Sequence, residues 1–288
     1  MARVHCCPTI AWTSGSSTSR TRNGASSSRP QDRDRPNTWR SCAQVLLALD
    51  TSTDWASVAL FDGRDVIAEE TWHAQRRQGD ELFPAIERAL LMTRTALSSV
   101  DRVAVAVGPG SFTGLRVAIA AGQGIARGNG AALVGISTLD VLAYPHAPSK
   151  QRTCPLLRAG RDLFYAAFYQ ERNRKWMRRS PFLVASLDEI CRQIGTHTLF
   201  VGEIDAETEA TLRDLLGPKA LFASPASRVR RAGYLAELGW RELETRTQVK
   251  ISEIEPLYVR QPSIRGSFEQ PFASPPSDER ALGLPKRS

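Results

Sequence analysis

The chain has 288 residues, 42% hydrophobic and 24% charged, a globular composition that excludes wholesale disorder. No run approaches about 18 uninterrupted apolar residues, which excludes a helical membrane span. The net charge of +8 lies mostly at the ends: residues 1–43 hold seven Arg against Asp32 and Asp34, whereas residues 44–260 hold 27 basic and 25 acidic residues, a net of +2. Cys6, Cys7, Cys42, Cys154 and Cys191 have neither disulfide-framework nor zinc spacing. They suit a reducing compartment, and a cytoplasmic location is expected.

Residues 1–44 read as a disordered Ser- and Arg-rich extension with no period of 2 or 3.6. One reading is a transit peptide. The other is an over-long gene start, with Val45 as the true initiator; a native protein whose intact mass includes residues 1–44 rejects it. Regular structure is expected from Val45. Val45–Leu49 is an apolar strand, and Asp50-Thr51-Ser52 turns the chain. Trp55–Phe61 and Val66–Thr71 form a hairpin across Asp62-Gly63. Asp80–Leu97 is a helix with one broad apolar face. Val103–Val107 is a buried strand that runs into Gly108-Pro109-Gly110-Ser111-Phe112-Thr113-Gly114. The helix over about 113–127 is rich in small residues, so another backbone is expected close to it. Leu133–Ile136 is a strand, followed by a short helix to Tyr144.

Pro145, Pro148 and Ser149 mark a boundary, so 45–146 is read as an N-terminal lobe and 147–260 as a smaller, irregular C-terminal lobe. In the latter, Thr153–Leu157 and Leu163–Tyr169 are strands, and Arg172, Arg174, Lys175, Arg178 and Arg179 crowd a turn around Trp176. Helices are expected at Ser186–Ile194, Ala206–Leu216 and Arg228–Arg241, with a short strand at Leu199–Val201. Residues 261–288 read as a disordered tail. The alternation of elements predicts an α/β protein with a mixed sheet and packed helices.

Few residues suggest chemistry. A glycine turn between strand and helix exposes N–H groups at the positive end of a helix, where phosphate binds; equally, glycines there serve a tight corner around a buried Phe112. Asp50-Thr51-Ser52 either holds a hydrated metal or phosphate, or is an Asx or ST turn. His5, His73, His146 and His197 form no i,i+4 pair, and no nucleophilic triad can be read around Ser111. Cys154 and Cys191 are read as packing residues. Arg172–Arg179 and Arg228-Val229-Arg230-Arg231 are either RNA-phosphate contacts or solvated surface.

Three strings carry a resemblance. Leu46-Leu47-Ala48-Leu49-Asp50-Thr51-Ser52-Thr53, Gly79–Ile86 and Gly108–Arg116, with the closing Pro256-Leu257-Tyr258-Val259-Arg260, resemble the TsaB family over about 45–262. That family is the bacterial accessory subunit of the tRNA threonylcarbamoyladenosine machinery. The resemblance implies a two-lobed actin-like, sugar-kinase-like ATPase fold without catalysis of its own. It implies a heterodimer with a TsaD-type paralogue, which binds metal and nucleotide and transfers the threonylcarbamoyl group to N6 of the adenosine next to the anticodon. A TsaE-type ATPase joins the complex, and tRNA is its substrate; the free chain is either a homodimer or a monomer. No cofactor or metal is expected in this chain.

The family's pairing helices map onto about 80–97 and 113–127, giving an expected interface of Leu82, Phe83, Ile86, Ala89, Leu90, Val117, Ala120, Ala121 and Gly124. A vestigial phosphate site is expected at Asp50, Thr51, Ser52, Gly108, Gly110, Ser111, Thr113, Gly114 and Arg116. Two departures stand out: Gln78-Gly79 where many members have His-Ser, and Arg158 where many have Asp. The rival reading is an ATP-dependent phosphotransferase of the sugar-kinase type using Asp50 and the Gly108–Gly114 loop; a glycoprotease-like hydrolase lacks metal ligands and a readable triad.

Overall fold

The computed structural model describes residues 44–147, 149, 151–172, 175–245, 251–259 and 281–282. The proposed extension (apart from Gln44) and most of the proposed tail lie outside the described residues.

The first lobe is a five-stranded sheet. Strands β1 (Val45–Asp50), β2 (Trp55–Phe61), β3 (Val66–His73), β4 (Val100–Gly108) and β5 (Ala132–Ser137) stand in the order β3-β2-β1-β4-β5. The meander β1-β2-β3 is antiparallel, and β4 and β5 run parallel to β1. Alternation along β1 sorts its side chains onto two cores. Leu47 and Leu49 face helices α1 (Gln78–Thr93) and α2 (Phe112–Asn129), while Leu46 and Ala48 face α6 (Ala232–Thr245). In β4, Val103 and Val105 fill the first core, and Ala104 and Ala106 line the second. The small face is needed there: a Cβ on Gly239 of α6 would lie 2.5 Å from the Ala104 Cβ. Helix α6 is therefore part of the first lobe's core, although its residues fall in the stretch expected to build the second.

The second lobe is not the smaller one in strand count. Short helix α3 (Thr138–Ala143) leads into β6 (Arg152–Arg158), β7 (Phe164–Ala166), β8 (Tyr169–Arg172), β9 (Lys175–Arg178) and β10 (Leu183–Ala185). These give the path β10-β7-β6-β8-β9, and β13 (Ala281–Leu282) pairs with the outer edge of β9. Strand β11 (Thr198–Gly202) pairs parallel with β6 and with β12 (Ala220–Phe222). Helices α4 (Leu187–Cys191) and α5 (Ala206–Leu216) follow their Ser186 and Asp205 caps, and Ser186 and Glu189 form the expected capping box.

Three local expectations differ. The Leu163–Tyr169 strand is two strands, β7 pairing with Leu156–Arg158 and β8 with Thr153 of β6. The Arg172–Arg179 turn contains β9, whose Trp176 is fully buried and stacks on Tyr169. Two residues of the expected tail form β13. Among the described residues no helix is long and apolar enough to cross a membrane.

Candidate functional site

Two places are built by the expected motifs. The first is the junction of the β1 end with the glycine loop. The Asp50 Oδ1 accepts from the Ser52 backbone N–H at 2.9 Å and hydroxyl at 2.6 Å. The Thr51 hydroxyl donates to the Gly114 carbonyl at 2.6 Å, and the Ser111 N–H donates to the Ser52 carbonyl at 2.7 Å. Ser111 Oγ caps α2 by accepting from the Gly114 N–H. Gly108, at φ +112°, starts this turn, and its peptide bond to Pro109 is cis. A Cβ on Gly110 or Gly114 would run into the Ser52 or Thr51 carbonyl oxygen, so the loop is clamped face to face on the Asp50 turn.

The other oxygen of Asp50 is taken as well. Arg230, just before α6, donates Nε–H to Asp50 Oδ2 at 2.9 Å and Nη2–H to Thr53 Oγ1 at 2.7 Å, and both partners of the ion pair are buried. A nucleotide-binding site of this fold needs a free carboxylate for a hydrated cation and open N–H groups for phosphate. Here a guanidinium pairs with the carboxylate, and the loop's Ser111 amide is spent on the Ser52 carbonyl. Thr113 and Arg116 are exposed beyond this clamp; Arg116 lies over the Phe112 ring at 3.6 Å, and Phe112 stacks on Tyr258 at 5.6 Å. Phe112 is thus exposed rather than the buried corner residue considered from sequence. No group of three or more His, Cys, Asp or Glu able to hold a metal occurs among the described residues.

Beside the clamp, a cavity of about 610 Å³ is lined by Thr53, Trp55, His73 and Ser111 from the first lobe and by Arg158 and Asp205 from the second. Arg158 does not make it an open cationic cleft, because its guanidinium pairs with Asp205. Hydrogen bonds from Thr208, then the Arg158 pair, hold the Asp205 carboxyl below its ordinary range. Gln78, the other departure, is buried and donates to the Thr53 carbonyl at 2.9 Å.

The second place is an apolar groove of about 540 Å³ between α1 and α2. Phe83 and Leu97 form one wall, and Val117, Ala120, Ala121 and Gly124 form much of the other. Phe83 is 58% exposed, and Leu91 and Met92 beyond it are 70% and 66% exposed. Added Cβ atoms on Gly124 and Gly128 would meet nothing, whereas one on Gly122 would meet Val105 at 2.5 Å. The small residues of α2 therefore serve two surfaces: Ala118 and Gly122 seat the helix on the sheet, while Ala120, Gly124 and Gly128 leave an open stripe.

This geometry corrects part of the expected interface. Leu82, Ile86 and Ala89 are buried in the first lobe's own core, because these positions with Ala85 form the stripe facing the sheet. Leu90 and Val117 are half-buried, and Ala121 is buried yet lines the groove. Of the expected set, Phe83, Ala120 and Gly124 are exposed. Leu91 and Met92 are not distinguished by the sequence, and Leu97, a member of the expected apolar face, lies outside the expected interface set. Helix α1 stops at Thr93, with Arg94 left-handed at φ 54°, so Leu97 sits on a separate turn that folds back to the groove. Arg230 was visible only as one member of a basic run. In that run Arg228 pairs with Glu209, Arg230 with Asp50 and Arg231 with Glu69; buried Arg230 fits neither of the two sequence readings, an RNA-phosphate contact or solvated surface. Cys154 and Cys191 are buried, and burial pushes the Cys191 thiol up to about 11.

Two sheeted lobes, with a clamped strand-turn-helix loop between them, define a protein of the actin-like, sugar-kinase-like ATPase fold class. YeaZ from Pseudomonas aeruginosa, 24% identical, has that same fold, with a TM-score of 0.64 over 75% of this chain and 100% of that one. Residues 71–189 match the family described as TsaD, tRNA N6-adenosine threonylcarbamoyltransferase. The tRNA threonylcarbamoyladenosine biosynthesis protein TsaB of Bacillus subtilis is 26% identical over 68% of this chain and 86% of its own length. The Haemophilus influenzae protein of the same name is 28% identical over 75% of this chain and 93% of its own. These likenesses support the TsaB family for this chain.

Proposed function

We propose that this protein is a non-catalytic, cytoplasmic subunit required for forming N6-threonylcarbamoyladenosine in tRNA, and that it pairs with a TsaD-type catalytic paralogue through the α1–α2 groove. The observation that carries the reading is the pairing of an open apolar groove with a sealed phosphate loop in the same lobe. Exposed Phe83, Leu91, Met92 and Leu97 beside a stripe of small residues favour burial against another helix pair. An interface of ordinary size, about 1,600 Å² in total, would extend beyond the groove along both helices.

The proposal includes that this chain carries no cofactor, ATP and metal being the catalytic partner's. Support comes from Asp50, whose two oxygens are engaged by Ser52 and Arg230. A TsaE-type ATPase is the expected third component, and a homodimer through the same groove is the expected form of the free chain.

The test has two arms. Co-purification with a TsaD-type protein should yield a stoichiometric complex that modifies tRNA, with neither subunit active alone. Calorimetry of the isolated chain with ATP and magnesium should give no heat of binding. Tight, magnesium-dependent binding would instead favour the phosphotransferase reading.

A further inference from the structure

We propose that the β8–β9 ribbon of the second lobe is a binding surface for the phosphate backbone of a structured RNA. The inference builds on the proposed role in tRNA modification and concerns a surface away from the α1–α2 groove.

Side chains alternate across a strand, so the register of the ribbon sorts its residues. Tyr169 pairs with Arg178, Gln170 with Met177, Glu171 with Trp176 and Arg172 with Lys175. Trp176 and Tyr169 are buried among residues of α3 and β11, which makes theirs the inner face. Glu171, the ribbon's one carboxylate, shares that face. The outer face carries Gln170, Arg172, Lys175 and Met177. Arg179 follows on the same face, with its N–H on the Phe168 carbonyl at 2.6 Å and its Nη1 3.3 Å from the Met177 sulfur. From the neighbouring β6, Arg152 joins this face; its guanidinium lies 5.0 Å from the Phe168 ring centre and donates to the Gln193 carbonyl. The result is a row of four cations: Arg152, Arg172, Lys175 and Arg179.

Several arginines elsewhere in the fold pair with carboxylates: Arg77 with Glu81, Arg88 with Glu70, Arg213 and Arg228 with Glu209, Arg231 with Glu69. Among the described residues, none of the four outer-face cations has a carboxylate partner. Arg172 and Lys175 even stand directly opposite each other, an arrangement that costs stability in a sheet. The near-zero net charge of residues 44–260 hides this local clustering of cations. Like charges on an exposed ribbon, unpaired among the described residues, are favourably met by a polyanion, and the chemistry of the relatives supplies one, RNA. An anionic membrane is less suited: the outer face offers only Met177, half-buried, for insertion.

The experiment measures binding of the full chain to an unmodified tRNA transcript as a function of salt. Each phosphate contact contributes a slope of about −0.7 to −0.9 in log K against log salt. Wild type should bind with a clear negative slope. The triple variant R172Q/K175Q/R179Q should bind at least about tenfold more weakly at 0.1 M salt, with a slope flatter by about 2 to 3. The charge-conserving R172K/R179K should bind as wild type does. Unchanged affinity and slope in the triple variant overturn the proposal, as does weakening as large in R172K/R179K. So does retention on phosphatidylserine vesicles without binding to the transcript. Capture of the TsaD-type partner is measured in parallel. If wild type fails to capture it, the subunit reading falls while the RNA result still stands or falls by itself. If the triple variant captures it but loses RNA, both readings hold.

Discussion

Asp50 and Arg230 lie 180 residues apart and meet in a buried ion pair with Nε 2.9 Å from Oδ2. The pair ties the end of the first strand to the segment that delivers α6, and it puts a permanent cation on the buried carboxylate of the turn clamped to the glycine loop. Removing one partner strands the other. We expect Arg230→Met to destabilise the protein by about 3–5 kcal/mol, because it leaves an uncompensated buried charge. The double variant with Asp50→Leu should recover most of the loss. Urea unfolding of both variants checks this, and an Arg230→Met protein as stable as wild type would show that the pair does not hold the site together.

The groove and the core make opposite demands on neighbouring residues of α1. Phe83→Asp should leave the thermal midpoint within a few degrees of wild type while weakening partner capture about 30-fold, the loss of one interfacial anchor. Leu82→Asp should fail to fold, because it buries an unpaired carboxylate beneath the helix. Co-elution of Phe83→Asp with the partner at wild-type affinity would reject this face as the interface.

The glycines separate by what lies over them. Gly110→Ala and Gly114→Ala should each cost about 1–3 kcal/mol, since the new methyl group runs into a carbonyl oxygen of the Asp50 turn. Gly124→Ala has open space and should stabilise the free chain by about 0.8–1 kcal/mol through helix propensity. Gly124→Leu should be tolerated by the fold and block partner binding. Denaturation midpoints of the series, read beside partner capture, test the assignment of each face of α2.

His146 supplies a pH signature. Burial holds its imidazole below the ordinary range, partly offset by a hydrogen bond with the Ser227 backbone. Above about pH 6.5 folded and unfolded chains are both neutral here. As pH falls below that value the unfolded chain takes up a proton that the folded chain refuses, so stability declines. His146→Phe should flatten the fall in urea midpoint between pH 7 and pH 5. An unchanged slope in that variant would place the acid sensitivity elsewhere.

The sequence by itself determined the elements of the first lobe and the motif at its centre. The apolar run Val45–Asp50, bounded by a turn signal, reads as a strand covered on both faces, and the string from Gly108 to Arg116 as a strand-to-helix turn, and both are what the fold contains. Period 3.6 likewise made α1 an amphipathic helix. It did not say which of its apolar residues face out. That was decided when the sheet covered Leu82, Ala85, Ile86 and Ala89 and had no room left for Phe83, Leu91 and Met92. Tertiary structure also decided where α6 packs, that Trp176 belongs to a buried strand, and which arginines are neutralised. Local propensity acts over a few residues, whereas the pairing of Asp50 with Arg230, and the lack of any such pairing along Arg172, Lys175 and Arg179 among the described residues, arise between segments that meet only once the sheets have formed.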